Sequence, residues 1–317
     1  MMVITANEKI LPAPLGVQNA EETSILKVLA YFDIFHYPLT KNEIRQFLDT
    51  TFTESKTDEL LQQLLTNQTV FLYNEFYSLH NSALLADRRK EGNLRAERLL
   101  PKAFKIGRFL FRFPFVRAIG VSGSLSKNFA DEKADIDFFI IVKANRLWIS
   151  RTLMHLFKKL TFITGHQHYF CMNYYIDEEG LVIENQNIFT AIEIATLLPV
   201  CGKKTLDRFF AINSWRSRFL PGAFGQTHFQ DEKPARSWFK RVAEWIFDNS
   251  MGNHLDKWLL TITTHRWQQK SRKGRRNKKG HMMNLITGKH FARSNPGAFQ
   301  EKVLALYEQK LIDLKLI

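Results

Sequence analysis

Two aspartates, Asp135 and Asp137, stand two residues apart directly before a continuous apolar run, Phe138–Val142. Such a run, rich in β-branched and aromatic residues, is typical of a strand buried on both faces, so we expect the pair at its exposed start. Residues two apart on a strand project from the same face. Because adjacent carboxylates repel each other and offer only oxygen ligands, they favour a hard cation such as Mg²⁺. The alternative interpretation is a pair of solvated acids at a strand start.

A glycine-serine loop upstream offers groups that bind phosphate. Gly123 allows backbone to approach a ligand closely. Ser124, Ser126 and the amides that follow can hold phosphate oxygens if a helix begins here, and Lys127 adds a positive charge. Phosphate donors on one side and a metal-binding acid pair on the other are what a magnesium nucleoside triphosphate requires.

Gly123-Ser124, followed after a short loop by Asp135-x-Asp137 and a hydrophobic strand, resembles the signature of the DNA polymerase beta-like nucleotidyltransferases. Small members of that family often read Gly-Ser-x-x-Arg, and Lys127 stands at the Arg position. The resemblance covers the stretch Phe115–Ile176. It implies a small mixed sheet, binding of two Mg²⁺ ions by Asp135 and Asp137, and a third carboxylate on a later strand that helps to activate an acceptor hydroxyl.

The predicted third strand, Tyr169–Ile176, departs from that pattern. Asn173 occupies the matching position, and an amide can orient a hydroxyl but cannot accept a proton at neutral pH. Asp177, Glu178 and Glu184 are alternative third carboxylates, and the sequence does not choose among them.

The length of 317 residues predicts two or three structural units, and an apolar content of 45% is ordinary for a globular protein. Cys171 and Cys201 lie in apolar surroundings, which favours buried thiols in a reducing cytosol. The N-terminus lacks the basic and apolar regions of a signal peptide, and no stretch reaches about 18 apolar residues. We therefore expect a cytoplasmic protein with no membrane partner.

Residues 20–82 form the first predicted unit. Helical spacing runs through Glu22–Phe32, and Thr40 with Glu43 forms a capping box that opens a second helix. A third helix and two short strands, Val70–Tyr73 and Phe76–Leu79, complete a pattern that resembles a winged helix.

The charge of this unit argues against DNA binding. Residues 21–80 carry four Lys/Arg against nine Asp/Glu, although the whole chain has a net charge of +14. The would-be recognition helix, Lys56–Gln63, carries more acid than base, and the hairpin has neither Lys nor Arg. Because DNA affinity requires neutralisation of phosphates, we expect a structural or protein-contact role instead.

Residues 83–185 form the predicted nucleotidyltransferase core, led by a basic helix, Ala83–Phe111, with Gly92 and Pro101 as points of weakness. The basic side chains of this helix form either a solvated face or a face turned toward the triphosphate or an anionic acceptor, for which Arg95 and Arg98 are the main candidates. Residues 186–317 are predicted to form a helical C-terminal region.

Arg266–Lys279 contains eight basic residues and no acid. Blocks of like charge are usually mobile and solvated. The alternative is a contact with RNA or another polyanion, in which Trp267 stacks on a base.

The sequence thus predicts an α+β fold that holds a nucleotidyltransferase core, an N-terminal winged helix and helices toward the C-terminus. The expected reaction is Mg²⁺-dependent transfer of a nucleoside monophosphate from a nucleoside triphosphate to a hydroxyl. One alternative is a catalytically weak or inactive nucleotide-binding regulator of the same fold. The other is a winged-helix DNA-binding regulator.

Overall fold

The computed structural model describes residues 19–132, 134–160, 170–223, 237–276, 284–295 and 297–317, together with Gly280 and Met282. This part of the chain has an α+β fold, as predicted. Its α-helices are α1 (Ala20–Asp33), α2 (Lys41–Phe47), α3 (Glu54–Thr66), α4 (Ala83–Leu110), α5 (Leu147–Leu160), α6 (Ile188–Ala195), α7 (Lys203–Ile212), α8 (Trp238–Phe247), α9 (Ser250–Arg272) and α10 (Phe299–Asp313). Its strands are β1 (Phe71–Tyr73), β2 (Phe76–Ser78), β3 (Val116–Ser122), β4 (Asp137–Val142), β5 (Cys171–Asp177), β6 (Leu198–Cys201), β7 (Leu285–Thr287) and β8 (Phe291–Ser294).

Six of these strands form a mixed sheet in the order β6-β3-β4-β5-β8-β7. β4 runs parallel to β5, and the other neighbours in the sheet are antiparallel. The apolar run of β4 is buried along its whole length, as its composition predicts. This strand lies between β3 and β5, so it places its first residue, Asp137, in the middle of the sheet.

The side chains of β4 alternate between two apolar cores. Phe138, Ile140 and Val142 face a core that also contains residues of α4 and α5. Phe139 and Ile141 face the opposite core, which contains residues of α6, α7, α10 and the N-terminal helices. Asp137 has the same parity as Phe139, so its side chain belongs to the second face.

The N-terminal unit consists of three helices and the hairpin β1-β2. It packs closely on the rest of the chain, since Tyr31 of α1 meets the ring of Tyr307 of α10 with centroids 5.5 Å apart. Arg89 of α4 donates to Glu43 Oε1 at 2.6 Å and to Pro38 O at 2.7 Å. The N-terminal unit therefore shares its core with the C-terminal helix and is tied to the start of α4.

The basic helix α4 has nearly the predicted span, but its first basic residues have partners that the sequence did not indicate. It continues through Pro101, because Ala96, Ala103 and Leu110 are buried against the core and this packing outweighs the hydrogen bond that proline cannot donate. Its first basic residues, Arg88 and Arg89, bind groups of the N-terminal unit and are not turned toward a ligand. Arg88 donates to His36 O at 2.9 Å and pairs with Asp131, so it holds the N-terminal unit in place.

The region predicted to be helical from residue 186 onward also supplies three strands to the sheet: β6, β7 and β8. The first of these strands follows a helix directly, since α6 ends at Ala195 and β6 begins at Leu198. Pro199 is tolerated there because β6 is an edge strand. No strand pairs with its outer side, so the amide hydrogen that proline lacks is not needed for a hydrogen bond on that side. Within the described ranges, none of the helices combines the length and apolar character that a bilayer crossing requires.

Candidate functional site

A cavity of about 370 Å³ lies against the face of the sheet to which Asp137 belongs. Residues from β4, β5, β8, α1, α6 and α10 line it, together with the turn that follows β3. The structure brings five of the predicted site residues and the predicted third-position residue to this cavity. They are Gly123, Ser124, Lys127, Asp135, Asp137 and Asn173.

Asp137 is the first residue of β4. The prediction that both aspartates are exposed is wrong for this residue. The residue is 7% exposed, because the turn after β3 and strand β5 cover its carboxylate. Burial raises the pKa of Asp137, and the nearby carboxylates of Asp135 and Glu193 raise it further. Asp135 lies two residues before β4 and is partly exposed, so the strand begins later than predicted while both side chains still line the cavity.

Gly123 fits tightly against Asp137. Its φ is +73°, in the left-handed region that favours glycine. A Cβ atom at this position would lie 2.6 Å from Asp137 Oδ2, well inside van der Waals contact. The glycine thus allows the chain to leave β3 and cross directly over the buried carboxylate.

A single 3-10 turn, Leu125–Lys127, follows the glycine and serine. Ser124 lines the cavity, but Ser126 is 3% exposed and its hydroxyl donates to Gly123 O at 2.8 Å. The two serines therefore have different roles. Ser124 can contact a ligand in the cavity, whereas Ser126 stabilises the turn through its hydrogen bond to Gly123 O.

Lys127 is held inside the cavity by two partners. Its Nζ donates to Gly123 O at 3.1 Å and forms an ion pair with Glu193 Oε1 of α6 at 2.7 Å. The hydroxyl of Tyr37, from the N-terminal unit, donates to Lys127 O. The lysine is therefore positioned by residues 66 and 90 places away in sequence.

Asn173 contacts the buried carboxylate directly, since its Nδ2 donates to Asp137 Oδ1. Burial raises the pKa of the Cys171 thiol well above its ordinary value, so this thiol remains protonated and donates to Asn173 Oδ1 at 3.0 Å. The thiol and the carboxylate together fix which way the amide points. The residue at the predicted third position thus orients Asp137 and offers no proton acceptor of its own.

Aromatic side chains line another part of the cavity. Phe139 meets Tyr174 edge-on at 5.4 Å and Phe209 at 5.0 Å between ring centroids. Phe299 lies 6.0 Å from Phe189 on the side formed by α6 and α10. The cavity therefore combines a charged part, which includes Asp135, Asp137 and Lys127, with an aromatic part, and this suits a ligand with a charged end and a flat apolar end.

The basic segment Arg266–Lys279 is only partly described, since 277–279 lie outside the described residues. Residues Arg266–Arg272 form the last turns of α9. Trp267 lines the cavity, and Lys270 Nζ lies 4.7 Å from the centroid of its ring. Trp267 thus borders the same cavity as the aspartates, a position that the sequence did not indicate.

Sequence reasoning did not identify Glu193 or Tyr37 as site residues. The signal for Glu193 is a lone carboxylate within the otherwise apolar run IFTAIEIA of α6. No comparable pattern marks Tyr37, because it reaches the turn through the packing of the N-terminal unit.

Two carboxylates together with ligand oxygens suffice for Mg²⁺, which retains several waters and is commonly held by one or two acids plus substrate phosphates. Within the described residues, no group of three or more His, Cys, Asp or Glu side chains is placed to hold a metal ion. The donor set of Asp135 and Asp137 therefore fits Mg²⁺ bound with a phosphate ligand better than a metal held by protein alone. Comparison of the chain with family models, with curated proteins and with solved structures returned no match.

Proposed function

We propose that this cavity binds a nucleoside triphosphate with Mg²⁺ and transfers its nucleoside monophosphate to a hydroxyl acceptor, with release of pyrophosphate. The observation that carries the proposal is the convergence of the Gly123 turn, Lys127 and both aspartates on one cavity. Positive charge and positioning stabilise phosphoryl transfer, and these groups supply both.

Asp135 and Asp137 would hold Mg²⁺, which neutralises charge on the phosphates when it is bound. The raised pKa of Asp137 supports this assignment, because a cation relieves the repulsion that Asp135 and Glu193 impose on a buried carboxylate. Gly123 and Ser124 would hold the β- and γ-phosphates, since the glycine leaves the backbone open to close approach.

Lys127 would exchange partners when the triphosphate binds. In the structure its charge is neutralised by Glu193 at 2.7 Å, and a phosphate oxygen would compete for the same Nζ. The exchange would free the carboxylate of Glu193 within the cavity. Because Asn173 cannot accept a proton, we assign to Glu193 the role of accepting the proton of the attacking hydroxyl.

The main alternative is a nucleotide-binding regulatory protein of the same fold with weak or no catalysis. The contact between Asn173 Nδ2 and Asp137 favours it, since an amide occupies the place where a third carboxylate would lie. The tight packing of the N-terminal unit on α10 gives such a regulator a route for a signal.

DNA binding through a winged helix remains the weaker alternative. Lys56 pairs with Glu21 at 3.1 Å and with Glu59, and Lys41 pairs with Asp58 and Glu54. The basic residues of α2 and α3 are thus already neutralised by acids of the same unit, which opposes phosphate binding. RNA remains a candidate acceptor, since the basic end of α9 borders the cavity through Trp267.

Isothermal titration with each of the four ribonucleoside triphosphates, with and without Mg²⁺, tests the proposal. We expect Mg²⁺-dependent binding that Asp135→Asn weakens at least about tenfold through loss of a metal ligand. Asp131→Asn is the matched control, because Asp131 stands in the same loop but pairs with Arg88.

A pyrophosphate-release assay with RNA and small hydroxyl acceptors then separates the two functions. Release that Glu193→Gln abolishes while triphosphate binding persists supports the transferase. Binding without release supports the regulator, and absence of Mg²⁺-dependent binding to any triphosphate refutes both.

A further inference from the structure

The helix α8 is amphipathic, and its polar side faces the protein. Lys240 Nζ donates to Phe111 O at 3.0 Å and to Val116 O at 2.6 Å. Glu244, one turn further along, accepts from Phe115 N at 2.6 Å and from Arg117 Nη1 at 2.9 Å. The charged side chains of α8 thus anchor the helix to the start of β3.

The apolar side of α8 consequently faces outward. Trp238 is 74% exposed and Trp245 is 82% exposed, with the exposed Val242 between them at helical spacing. The helix that follows, α9, exposes Met251 and Trp258, seven residues apart on one face. We call these five residues the aromatic face. A helix whose apolar side is turned to solvent is the reverse of the usual arrangement and indicates a binding surface.

Within the described residues, the exposed charges that α8 and α9 themselves carry are cationic. Between Ser237 and Arg276 the acids are Glu244, Asp248 and Asp256. Glu244 pairs with Arg117, Asp248 pairs with Lys143 and Arg146, and Asp256 is buried and accepts from Ile149 N at 2.9 Å.

The exposed charged residues of the same two helices are all basic: Arg241, Lys257, Arg266 and Arg272. A second copy of the chain would bring these cations against their own kind, so charge disfavours a symmetric dimer through this face. The surface therefore requires an anionic occupant.

The side-chain types select among anionic occupants. A nucleic acid offers phosphates to the cations and bases to the tryptophans, but it has no apolar phase for Val242 and Met251. The surface of a phospholipid bilayer satisfies all three kinds of side chain. Tryptophan prefers the headgroup level, aliphatic side chains enter the acyl boundary, and Lys or Arg meets lipid phosphate.

We propose that the aromatic face docks peripherally on an anionic phospholipid surface, with α8 lying along the plane of the bilayer. The inference is independent of the activity proposed for the cavity.

Vesicle sedimentation with the full chain tests this inference. We expect binding to phosphatidylcholine vesicles that contain about 30% phosphatidylserine and at least tenfold weaker binding to pure phosphatidylcholine. The double substitution Trp238→Ser with Trp245→Ser should lower the binding to anionic vesicles at least about tenfold. Arg241→Gln should lower it about fivefold, because each cation near the surface contributes about 1 kcal/mol.

Leu84→Ser is the matched control, since Leu84 is 77% exposed on α4 and its loss should leave vesicle binding unchanged. A second measurement needs no variant: the tryptophan emission of the parent chain should shift to the blue on anionic vesicles and be quenched by brominated lipid. Absence of sedimentation and shift overturns the inference. It is equally overturned if Leu84→Ser weakens binding as much as the tryptophan variant, or if the tryptophans support RNA binding or self-association but no vesicle binding.

Discussion

Gly123 is the residue on which the geometry of the candidate site depends most directly. It combines a left-handed φ of +73° with a contact that leaves no room for a side chain beside Asp137. Gly274 shares the first property, with φ of +60°, but has open space where a Cβ would stand. Comparing substitutions at Gly123 and Gly274 therefore separates the free-energy cost of the left-handed backbone from the cost of steric contact with Asp137.

We predict that Gly274→Ala lowers the free energy of unfolding by about 1 kcal/mol, the conformational cost alone. Gly123→Ala should lower it by about 2 to 4 kcal/mol, because the methyl group also displaces the Asp137 carboxylate. Urea unfolding of both variants measures the difference. Equal losses would mean that the carboxylate moves aside freely and that the fit of Gly123 on Asp137 imposes no constraint.

The residues of the site differ in how far sequence could identify them. Gly123, Asp135 and Asp137 lie in one continuous loop and strand, so their types and spacing were enough to predict that they meet. Glu193 and Trp267 reach the cavity from α6 and α9, and their places depend on how distant helices pack. Local pattern carries no information on such contacts.

At the scale of elements, α4 contains a buried and an exposed ion pair of the same residue types. Arg89 is 2% exposed, pairs with Glu43 at 2.6 Å and lies over the ring of Tyr37. Arg95 pairs with Glu91 at 2.7 Å on the outer side of the helix. The two arginines share a helix and differ in burial, which makes them a matched comparison.

We predict that Arg89→Leu destabilises the fold by about 3 to 5 kcal/mol, because it leaves the Glu43 carboxylate without its cationic partner and the carbonyl of Pro38 without its donor. Arg95→Leu should change stability by less than about 0.5 kcal/mol. Guanidinium unfolding monitored by circular dichroism distinguishes the two. A small effect of Arg89→Leu would show that the N-terminal unit is held to α4 by apolar packing alone.

The start of α5 depends on a side chain from another helix. Asp256 of α9 accepts a hydrogen bond from Ile149 N at 2.9 Å, in the first turn of α5. Burial raises the pKa of Asp256 to about 6, so the ionised carboxylate reduces stability above that pH. Because the folded pKa exceeds the unfolded value near ~3.9, this cost develops as pH rises from about 4 to 6 and is absent below.

We predict that Asp256→Asn, which keeps an oxygen acceptor without the charge, stabilises the protein at pH 8 by up to about 2 kcal/mol. The gain should vanish at pH 4. Asp256→Ala removes the acceptor as well and should be less stable than the Asn variant by about 1 kcal/mol at both pH values. Thermal unfolding at the two pH values measures these differences. A loss of stability in the Asn variant at pH 8 would show that attraction between the carboxylate and the helix N-terminus outweighs burial.

Sequence predicted some elements well and missed others for physical reasons. The apolar run of β4 is long and buried on both faces, so its sequence alone identifies it as a strand. The four residues of β6 directly follow a helix and include Pro199, so their sequence does not. A short edge strand is formed by pairing with β3, a long-range contact that local propensity does not encode. β8 likewise depends on its pairing with β5, and β7 in turn pairs with β8 at the edge of the sheet.

At the scale of the whole molecule, the first and last described helices are joined. One apolar core contains residues of α1, α6, α7 and α10, and the cavity lies beside it. Asp33 at the end of α1 is buried and receives hydrogen bonds from Lys310 of α10 and from His80 at 2.8 Å. The N-terminal unit therefore contributes to the stability of the site even though it precedes the sheet in sequence.

Burial alone would raise the pKa of Asp33, but the hydrogen bonds from His80 and Lys310 outweigh burial and hold it below its ordinary value. A lowered carboxyl pKa contributes stability above the unfolded value near ~3.9, and this stability is lost as pH falls through the folded pKa. We predict that Lys310→Met lowers the free energy of unfolding by about 3 kcal/mol at pH 7 and that the variant still unfolds in one transition. The difference in stability between this variant and the parent protein should become smaller below about pH 4. Lys302→Met, at an exposed position of the same helix, should have little effect at either pH. Denaturant unfolding followed by circular dichroism and tryptophan fluorescence measures both stability differences. Two separate transitions in the Lys310→Met variant would contradict the prediction and show that the N-terminal unit folds independently of α10.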